Sequence, residues 1–130
     1  MSATILYKEL SYKLIGVAME IHKILGPGFL EGTYQRAYEA ELEIRKIPFI
    51  PQKKIKIFYK DINLGFQVLD LVINNKIIIE IKAVSEILPI HQAQLISYLK
   101  ATNYNLGILI NFGSKSIQYK RLAFTNSSCN

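Results

Sequence analysis

The sequence has few of the residues on which redox centres and structural metal sites depend. Its 130 residues include a single cysteine, Cys129, which lies in a polar C-terminal segment. One cysteine cannot form an internal disulfide or a four-thiolate cluster, which excludes iron–sulfur centres and cysteine-based zinc sites. No apolar run approaches the roughly 18 residues that a membrane-spanning helix needs. The N-terminus carries Glu9 as well as Lys8 and no continuous apolar stretch, so we expect no secretory signal and a cytoplasmic protein.

The composition is that of an ordinary globular domain with an excess of positive charge. Half of the residues are hydrophobic and a fifth are charged. The length predicts one domain over residues 1–130, with a disordered tail from about residue 124. Lysine and arginine number 16 against 10 acidic residues, which gives a net charge of +6. A basic balance favours polyanionic partners such as nucleic acids but does not identify one.

Apolar periodicity and turn signals predict eight elements in the order α-α-β-β-β-α-β-β. Apolar residues at steps of three and four indicate amphipathic helices, and short alternating or continuous apolar runs indicate strands. This order is typical of an α/β fold with a mixed β-sheet flanked by helices. The helices are expected over about residues 4–25, 30–46 and 89–102, and the strands over 53–59, 65–73, 77–83, 106–111 and 117–122. Pro48 and Pro51 are expected to break the chain before the first strand.

Two acidic residues interrupt strands that are otherwise apolar. Asp70 lies within the segment VLDLV, and Glu80 lies within IIIEIK. A carboxylate in such surroundings is costly unless something compensates it. Taken singly, each acid could instead occupy a surface position or pair with a nearby lysine.

The loop between the two strands determines whether the acids meet. A two-residue turn would place Asp70 and Glu80 on opposite faces of the sheet. A three-residue loop of Asn74, Asn75 and Lys76 places them opposite one another, with β-carbons about 4.5–5.5 Å apart. Because asparagine tolerates the left-handed conformation that such loops require, we predict the three-residue loop.

Lys82 lies two residues beyond Glu80 and therefore on the same face of the strand. Its ammonium group could stabilise charge on a phosphate or position a water molecule, or it could form a plain salt bridge to Glu80 or Asp70. Two facing carboxylates repel one another unless a cation lies between them. Mg²⁺ binds oxygen ligands, and one or two carboxylates plus a substrate phosphate are sufficient. Asp70, Glu80 and Lys82 thus contain the groups for phosphodiester hydrolysis assisted by Mg²⁺ or Mn²⁺.

The spacing of these residues resembles the signature of the PD-(D/E)XK nuclease superfamily. Asp70, nine intervening residues and then Glu80-Ile81-Lys82 match its D…(D/E)xK pattern, although Leu69 stands where the signature has proline. The predicted order of elements resembles the minimal core of that superfamily. The resemblance covers about residues 6–122 and implies a restriction-endonuclease-like fold.

Two further motifs support the resemblance. Gln94 and Tyr98 are similar to the QxxxY motif that follows the catalytic strand in RecB-type nucleases. The segment GFLEGTY at residues 28–34 resembles the GxxExxY pattern that names a family of small bacterial proteins in this superfamily. Glu31 within it would join Asp70 and Glu80 as a metal ligand, although the dipole of the second helix could also account for an acid there.

The resemblance implies a role for each remaining candidate residue. Gln94 is expected to act with the catalytic residues Asp70, Glu80 and Lys82, through Lys82 or a phosphate. Tyr98 and His91 share its helical face and would support the site, although packing or solvent exposure could also explain them. Three lysines of the first predicted strand are candidates for phosphate contacts, with scattered solvated lysines on an edge strand as the alternative: Lys53, Lys54 and Lys56.

The function predicted on these grounds is a divalent-metal-dependent nuclease, a hydrolase acting on nucleic acid, with DNA favoured. The alternative is a non-catalytic nucleic-acid-binding or accessory module of the same fold. A third hypothesis is an interaction protein whose acids are merely salt-bridged. The chain is small, so a homodimer or a partner protein could supply the grip on the substrate. No membrane partner is expected.

Overall fold

A computed structural model describes residues 7–125 and confirms the predicted mixed α/β fold and its order of elements. The described residues form three helices and five strands: α1 Lys8–Leu25, α2 Glu31–Ile44, β1 Phe49–Tyr59, β2 Ile62–Ile73, β3 Ile77–Lys82, α3 Pro89–Lys100, β4 Leu106–Asn111 and β5 Gln118–Ala123. Residues 4–6 of the first predicted helix lie outside the described residues. No helix within 7–125 is long and apolar enough to cross a membrane.

The five strands form one sheet in the order β1-β2-β3-β4-β5. Neighbouring strands are antiparallel except for β3 and β4, which are parallel. Parallel neighbours need a crossover connection, and α3 supplies it. Gly107 of β4 lets this helix pack closely, because a β-carbon there would lie 2.8 Å from Leu95 Cδ1.

The loop between β2 and β3 has the three-residue form that the sequence predicted. Ile73 pairs with Ile77, which leaves Asn74, Asn75 and Lys76 in the loop. Both asparagines adopt positive φ values, 50° and 54°. The Lys76 N–H donates a hydrogen bond to the Ile73 carbonyl oxygen, which closes the turn.

Two hydrophobic cores lie on the two faces of the sheet. Side chains of α1 and α2 pack on one face with Ile77, Ile79 and Ile81 of β3. Side chains of α3 pack on the other face with Ile78. Because β3 is covered on both faces, its sequence is almost continuously apolar.

The first strand begins earlier than predicted. β1 starts at Phe49 and includes Pro51, so the expectation that Pro51 breaks the chain before the strand was wrong. Proline is tolerated because β1 is an edge strand, where one side of the backbone has no ladder partner.

The end of the chain is only partly described. Phe124 packs against the core beneath α3, and its N–H donates to the Asn105 carbonyl oxygen at 3.0 Å. The rest of the tail expected to be disordered, residues 126–130, lies outside the described part of the chain.

Candidate active site

The predicted acids meet where β2 and β3 stop pairing. The ladder between these strands ends at Leu71 and Ile79, one step before Asp70 and Glu80. Beyond that step β2 pairs with β1 alone. We call this point the strand fork.

At the strand fork, each carboxylate binds the backbone of the other strand. The Asp70 N–H donates to Glu80 Oε1 at 3.1 Å, and the Ile81 N–H donates to Asp70 Oδ2 at 2.7 Å. Side chains thus replace the backbone hydrogen bonds that a continuing ladder would supply. The facing arrangement predicted from the loop length brings the two carboxylates together.

A residue that the sequence did not single out anchors the fork to α2. Gln35 Nε2 donates to the Asp70 carbonyl oxygen at 2.9 Å and to Glu39 Oε2 at 3.0 Å. Gln35 is buried among the apolar residues of α2. It lies one turn after Glu31 and hence on the same face, which is the signal that could have identified it.

The regular alternation of β2 breaks at Asp70. Leu71 packs in the core beneath α1 and α2, whereas Leu69 packs in the core beneath α3. A regular strand would place both leucines on one face. On β1, Gln52 lies between the partners of these two leucines and has a φ of 52°. The backbone irregularity therefore coincides with the carboxylate, as is common next to active sites.

Burial and repulsion both oppose ionisation of the acid pair. Burial raises the pKa of Asp70, and the charge of Glu31 raises it further. Burial also raises the pKa of Glu80, and the charge of Asp70 adds to the increase. Lys82 lowers the pKa of both acids without reversing either shift. A bound cation would remove the repulsion that remains.

Lys82 is held by the helix that follows it. Its Nζ donates to Gln94 Oε1 at 3.0 Å, and within residues 7–125 it forms no ion pair with Asp70 or Glu80. The plain salt bridge considered for Lys82 is therefore not formed. Burial raises the pKa of Tyr98, and the charges of Glu80 and Asp70 raise it further.

Glu31 lies within electrostatic range of the pair but is not part of a compact ligand cluster. It is the exposed first residue of α2. Across the described chain, no group of three His, Cys, Asp or Glu side chains is arranged to hold a metal ion. Ligation by Glu31 stays a prediction.

The segment before Glu31 is fixed by Tyr34. Its hydroxyl donates to the Gly26 carbonyl oxygen at 2.5 Å and accepts from the Phe29 N–H at 3.2 Å. The φ of 118° at Gly28 is a conformation that favours glycine. The residues that resemble GxxExxY thus form a fixed loop leading into α2.

The other candidates differ in their surroundings. His91 Nδ1 accepts a hydrogen bond from the Leu88 N–H at the start of α3. Lys53 Nζ donates to the Tyr104 hydroxyl at 2.7 Å, on the α3 side of the sheet. Lys54 and Lys56 are exposed on the opposite face. The three lysines therefore do not share one surface.

The acid pair has the donor set that a hard divalent cation requires. Each carboxylate uses one oxygen for a backbone N–H. The other oxygens, Asp70 Oδ1 and Glu80 Oε2, accept no hydrogen bond from residues 7–125. Anionic oxygens that accept no hydrogen bond suit Mg²⁺ or Mn²⁺.

The mixed sheet forks at a carboxylate pair, and Lys82 beside the pair is held by α3. These features together define an α/β protein with a nuclease-like fold. The family model of the PD-(D/E)XK nuclease superfamily matches residues 8–122, and the chain belongs to this superfamily. No curated protein and no solved structure gave a significant match. Membership of the GxxExxY family stays a prediction.

Proposed function

We propose that the protein is a divalent-metal-dependent nuclease that hydrolyses phosphodiester bonds in nucleic acid, with DNA as the favoured substrate. The observation that carries the proposal is the meeting of Asp70 and Glu80 at the strand fork, each with one oxygen that accepts no hydrogen bond from residues 7–125. A repelling carboxylate pair in a partly buried site costs stability, and cation binding is the function that compensates this cost.

Asp70 and Glu80 would hold Mg²⁺ or Mn²⁺, with Glu31 approaching from the start of α2. When bound, the ion supplies a water of lowered pKa and offsets the charge that develops on the phosphate. The remaining ligands would be waters and substrate oxygens, as is usual for Mg²⁺. Two close carboxylates are sufficient for this arrangement.

Lys82 would contact the phosphate or the attacking water. It follows Glu80 by two residues, so its stem projects from the same face of β3. Gln94 accepts a hydrogen bond from its Nζ and limits the directions in which the ammonium can point. A positioned positive charge stabilises a transition state without reorganisation during the reaction. Gln94 is therefore a positioning residue in this proposal.

Calorimetric titration of Mg²⁺ and Mn²⁺ tests the site directly. Wild type should bind the ion, and Asp70→Asn and Glu80→Gln should lose binding while they keep the backbone hydrogen bonds. Glu43→Gln is the matched control, because Glu43 is an exposed acid near the far end of α2. Absence of binding to wild type, even with a non-cleavable oligonucleotide present, would contradict the metal site.

Cleavage assays then separate the nuclease from the accessory module. Single-stranded and double-stranded DNA and RNA are incubated with Mn²⁺ and wild type, Asp70→Asn or Glu43→Gln. The nuclease requires turnover by wild type and Glu43→Gln and none by Asp70→Asn. Metal binding and nucleic-acid binding without turnover by wild type would establish the accessory module instead.

A further inference from the structure

The hairpin of β1 and β2 extends beyond the rest of the sheet, starting at the strand fork. These strands pair at ten positions, whereas β3 pairs with β2 at three positions only. Residues 53–69 therefore form a two-stranded ribbon, which we call the arm. Its base is packed against the α3 side through Ile55 and Leu69.

One face of the arm carries exposed aromatic and basic side chains. Lys56 pairs with Phe66, and Lys54 lies two residues before Lys56 on the same face. Phe58 lies just beyond the register shift that separates it from Ile57. Phe58 and Phe66 are 57% and 54% exposed. The Lys54 Nζ lies 4.8 Å from the centre of the Phe66 ring. Lysines alone would be expected on an edge strand, but two exposed phenylalanines have no such explanation.

The charge of the arm identifies the chemistry of its partner. Residues 53–69 contain four lysines and one acid, Asp61. A second copy of the chain would bring the same positive face against itself, which like-charge repulsion opposes. A polyanion with flat apolar groups is complementary to both features. Aromatic side chains that stack on bases, next to lysines on phosphates, are typical of single-strand-binding surfaces.

The arm lies within reach of the proposed reaction centre. Phe66 precedes Asp70 by four residues, a distance of roughly 13 Å along a strand. Lys54 lies two residues beyond Gln52, which falls between the partners of Leu71 and Leu69 on β1. This face lies opposite the α3 side, so a strand held here would reach the carboxylate pair across the strand fork.

We propose that the arm binds single-stranded nucleic acid, with Phe58 and Phe66 stacking on bases and Lys54 and Lys56 contacting phosphates. The proposal rests on the proposed nuclease function, because that function explains why the arm would bind single-stranded nucleic acid. Binding itself does not depend on turnover, so the two can fail separately. The arm would then be a substrate-holding element of the proposed nuclease.

Fluorescence anisotropy in EDTA tests the arm without catalysis. Labelled 20-nucleotide single-stranded DNA and RNA, and a duplex of equal length, are titrated with the full chain. Phe66→Ala and Phe58→Ala should each weaken single-strand binding by about 10-fold. Phe66→Tyr should restore it, since the ring is retained. Tyr12→Ala, at an exposed aromatic residue of α1, should bind as wild type does.

Salt titration tests the lysines separately. Each phosphate contact removed should reduce the slope of log K against log salt by about 0.7 for a single strand. Lys54→Ala and Lys56→Ala should each show this loss, whereas Lys13→Ala on α1 should not. Circular dichroism melts confirm that each variant is folded.

Several results would overturn the proposal. Equal binding by Phe58→Ala, Phe66→Ala and wild type would remove the stacking role. Duplex binding as tight as single-strand binding would contradict the substrate class. If wild type sediments as a dimer and both Phe58→Ala and Phe66→Ala sediment as monomers, this face is a self-association surface instead. Single-strand binding is measured in EDTA and metal binding is measured by calorimetry without nucleic acid, so a failed metal site stays distinct from a failed arm.

Discussion

The backbone N–H of Asp70 donates to Oε1 of Glu80 at 3.1 Å, one step beyond the last paired residues of β2 and β3. The reciprocal bond runs from the Ile81 N–H to Asp70 Oδ2 at 2.7 Å. The two carboxylates are thus fixed by the backbone of the opposite strand. This arrangement holds two carboxylates close together in a partly buried site, where they repel one another when both are ionised.

Metal affinity should rise with pH between about 6 and 8. Burial raises the pKa of Asp70 to about 6, and burial with repulsion from Asp70 raises the pKa of Glu80 to about 8. Metal ligation requires the ionised carboxylates, so protons compete with the ion below these values. Calorimetry with Mn²⁺ at pH 5.5, 6.5, 7.5 and 8.5 should show the dissociation constant falling and then levelling. A constant affinity across this range would contradict the shared site, and Glu43→Gln should follow the wild-type profile.

The metal-free protein should lose stability as pH rises from about 4 to 8. Both acids have folded-state pKa values above their ordinary values of 3.8 and 4.5. The native state therefore binds more protons than the unfolded state in this window, and stability falls as pH increases. Asp70→Asn should be more stable than wild type at pH 8, by about 1–2 kcal/mol, since it removes one of the repelling charges.

Thermal melts at pH 5 and pH 8 in EDTA measure this effect. The increase for Asp70→Asn should be several degrees at pH 8 and much smaller at pH 5. Addition of Mn²⁺ at pH 8 should stabilise wild type but not the variant. A variant less stable than wild type at pH 8 would show that repulsion does not dominate at the fork.

The meeting of the two acids was predictable because it depends on a local feature. The three loop residues set the register, which pairs Leu71 with Ile79 and brings Asp70 and Glu80 together at the end of the ladder. The change of face at Asp70 was not predictable from the sequence. Leu69 and Leu71 look equivalent in a strand that is apolar on both sides, and only packing against the two helical layers separates them.

The structural positions of Gln35 and Pro51 could not be predicted from the sequence, for different physical reasons. A glutamine on an amphipathic helix is compatible with either a solvated or a buried position, so only its place one turn after Glu31 could have pointed to the bond from Gln35 to Asp70. The prediction that Pro51 breaks the chain rests on the absence of an N–H in proline. That rule does not apply at an edge strand, and whether a strand lies at the edge follows from the topology of the whole sheet.

Gln35→Leu should destabilise the protein by about 1–3 kcal/mol, because it leaves the Asp70 carbonyl oxygen without its hydrogen-bond donor. Urea denaturation followed by circular dichroism measures the change. Glu39→Gln is the matched control, since it alters the other partner of Gln35 and leaves the bond to Asp70 intact. Equal losses of unfolding free energy for the two substitutions would show that the hydrogen bond from Gln35 to Asp70 contributes no more to stability than the one to Glu39.

Gln94→Ala should lower kcat by about 10-fold to 100-fold without changing the affinity for Mn²⁺. The substitution frees the Lys82 ammonium from its acceptor but leaves the carboxylate pair untouched. Lys82→Ala should lower kcat by at least the same factor. Single-turnover cleavage and calorimetry on the same preparations provide the two measurements. Gln92→Ala, at a glutamine elsewhere on α3, is the control, and a loss of metal affinity in Gln94→Ala would argue for a different role.

Glu31→Gln separates two roles that an acid at the start of α2 could have. The charge of Glu31 raises the pKa of both Asp70 and Glu80, so its removal should shift the midpoint of Mn²⁺ binding to lower pH. A purely electrostatic role predicts this shift with only a small decrease in affinity at pH 8.5. Ligation predicts an additional loss of about 10-fold there, because an amide oxygen is a weaker ligand than a carboxylate.

We expect the larger loss at pH 8.5, since the loop held by Tyr34 fixes the start of α2, where Glu31 lies. Tyr34→Phe removes both hydrogen bonds of that hydroxyl while it keeps the ring stacked on Phe112. It should therefore reproduce part of the Glu31→Gln loss in Mn²⁺ affinity with the charge of Glu31 still present. Wild-type affinity in Tyr34→Phe, together with a pH shift alone in Glu31→Gln, would limit the ligand set to Asp70 and Glu80.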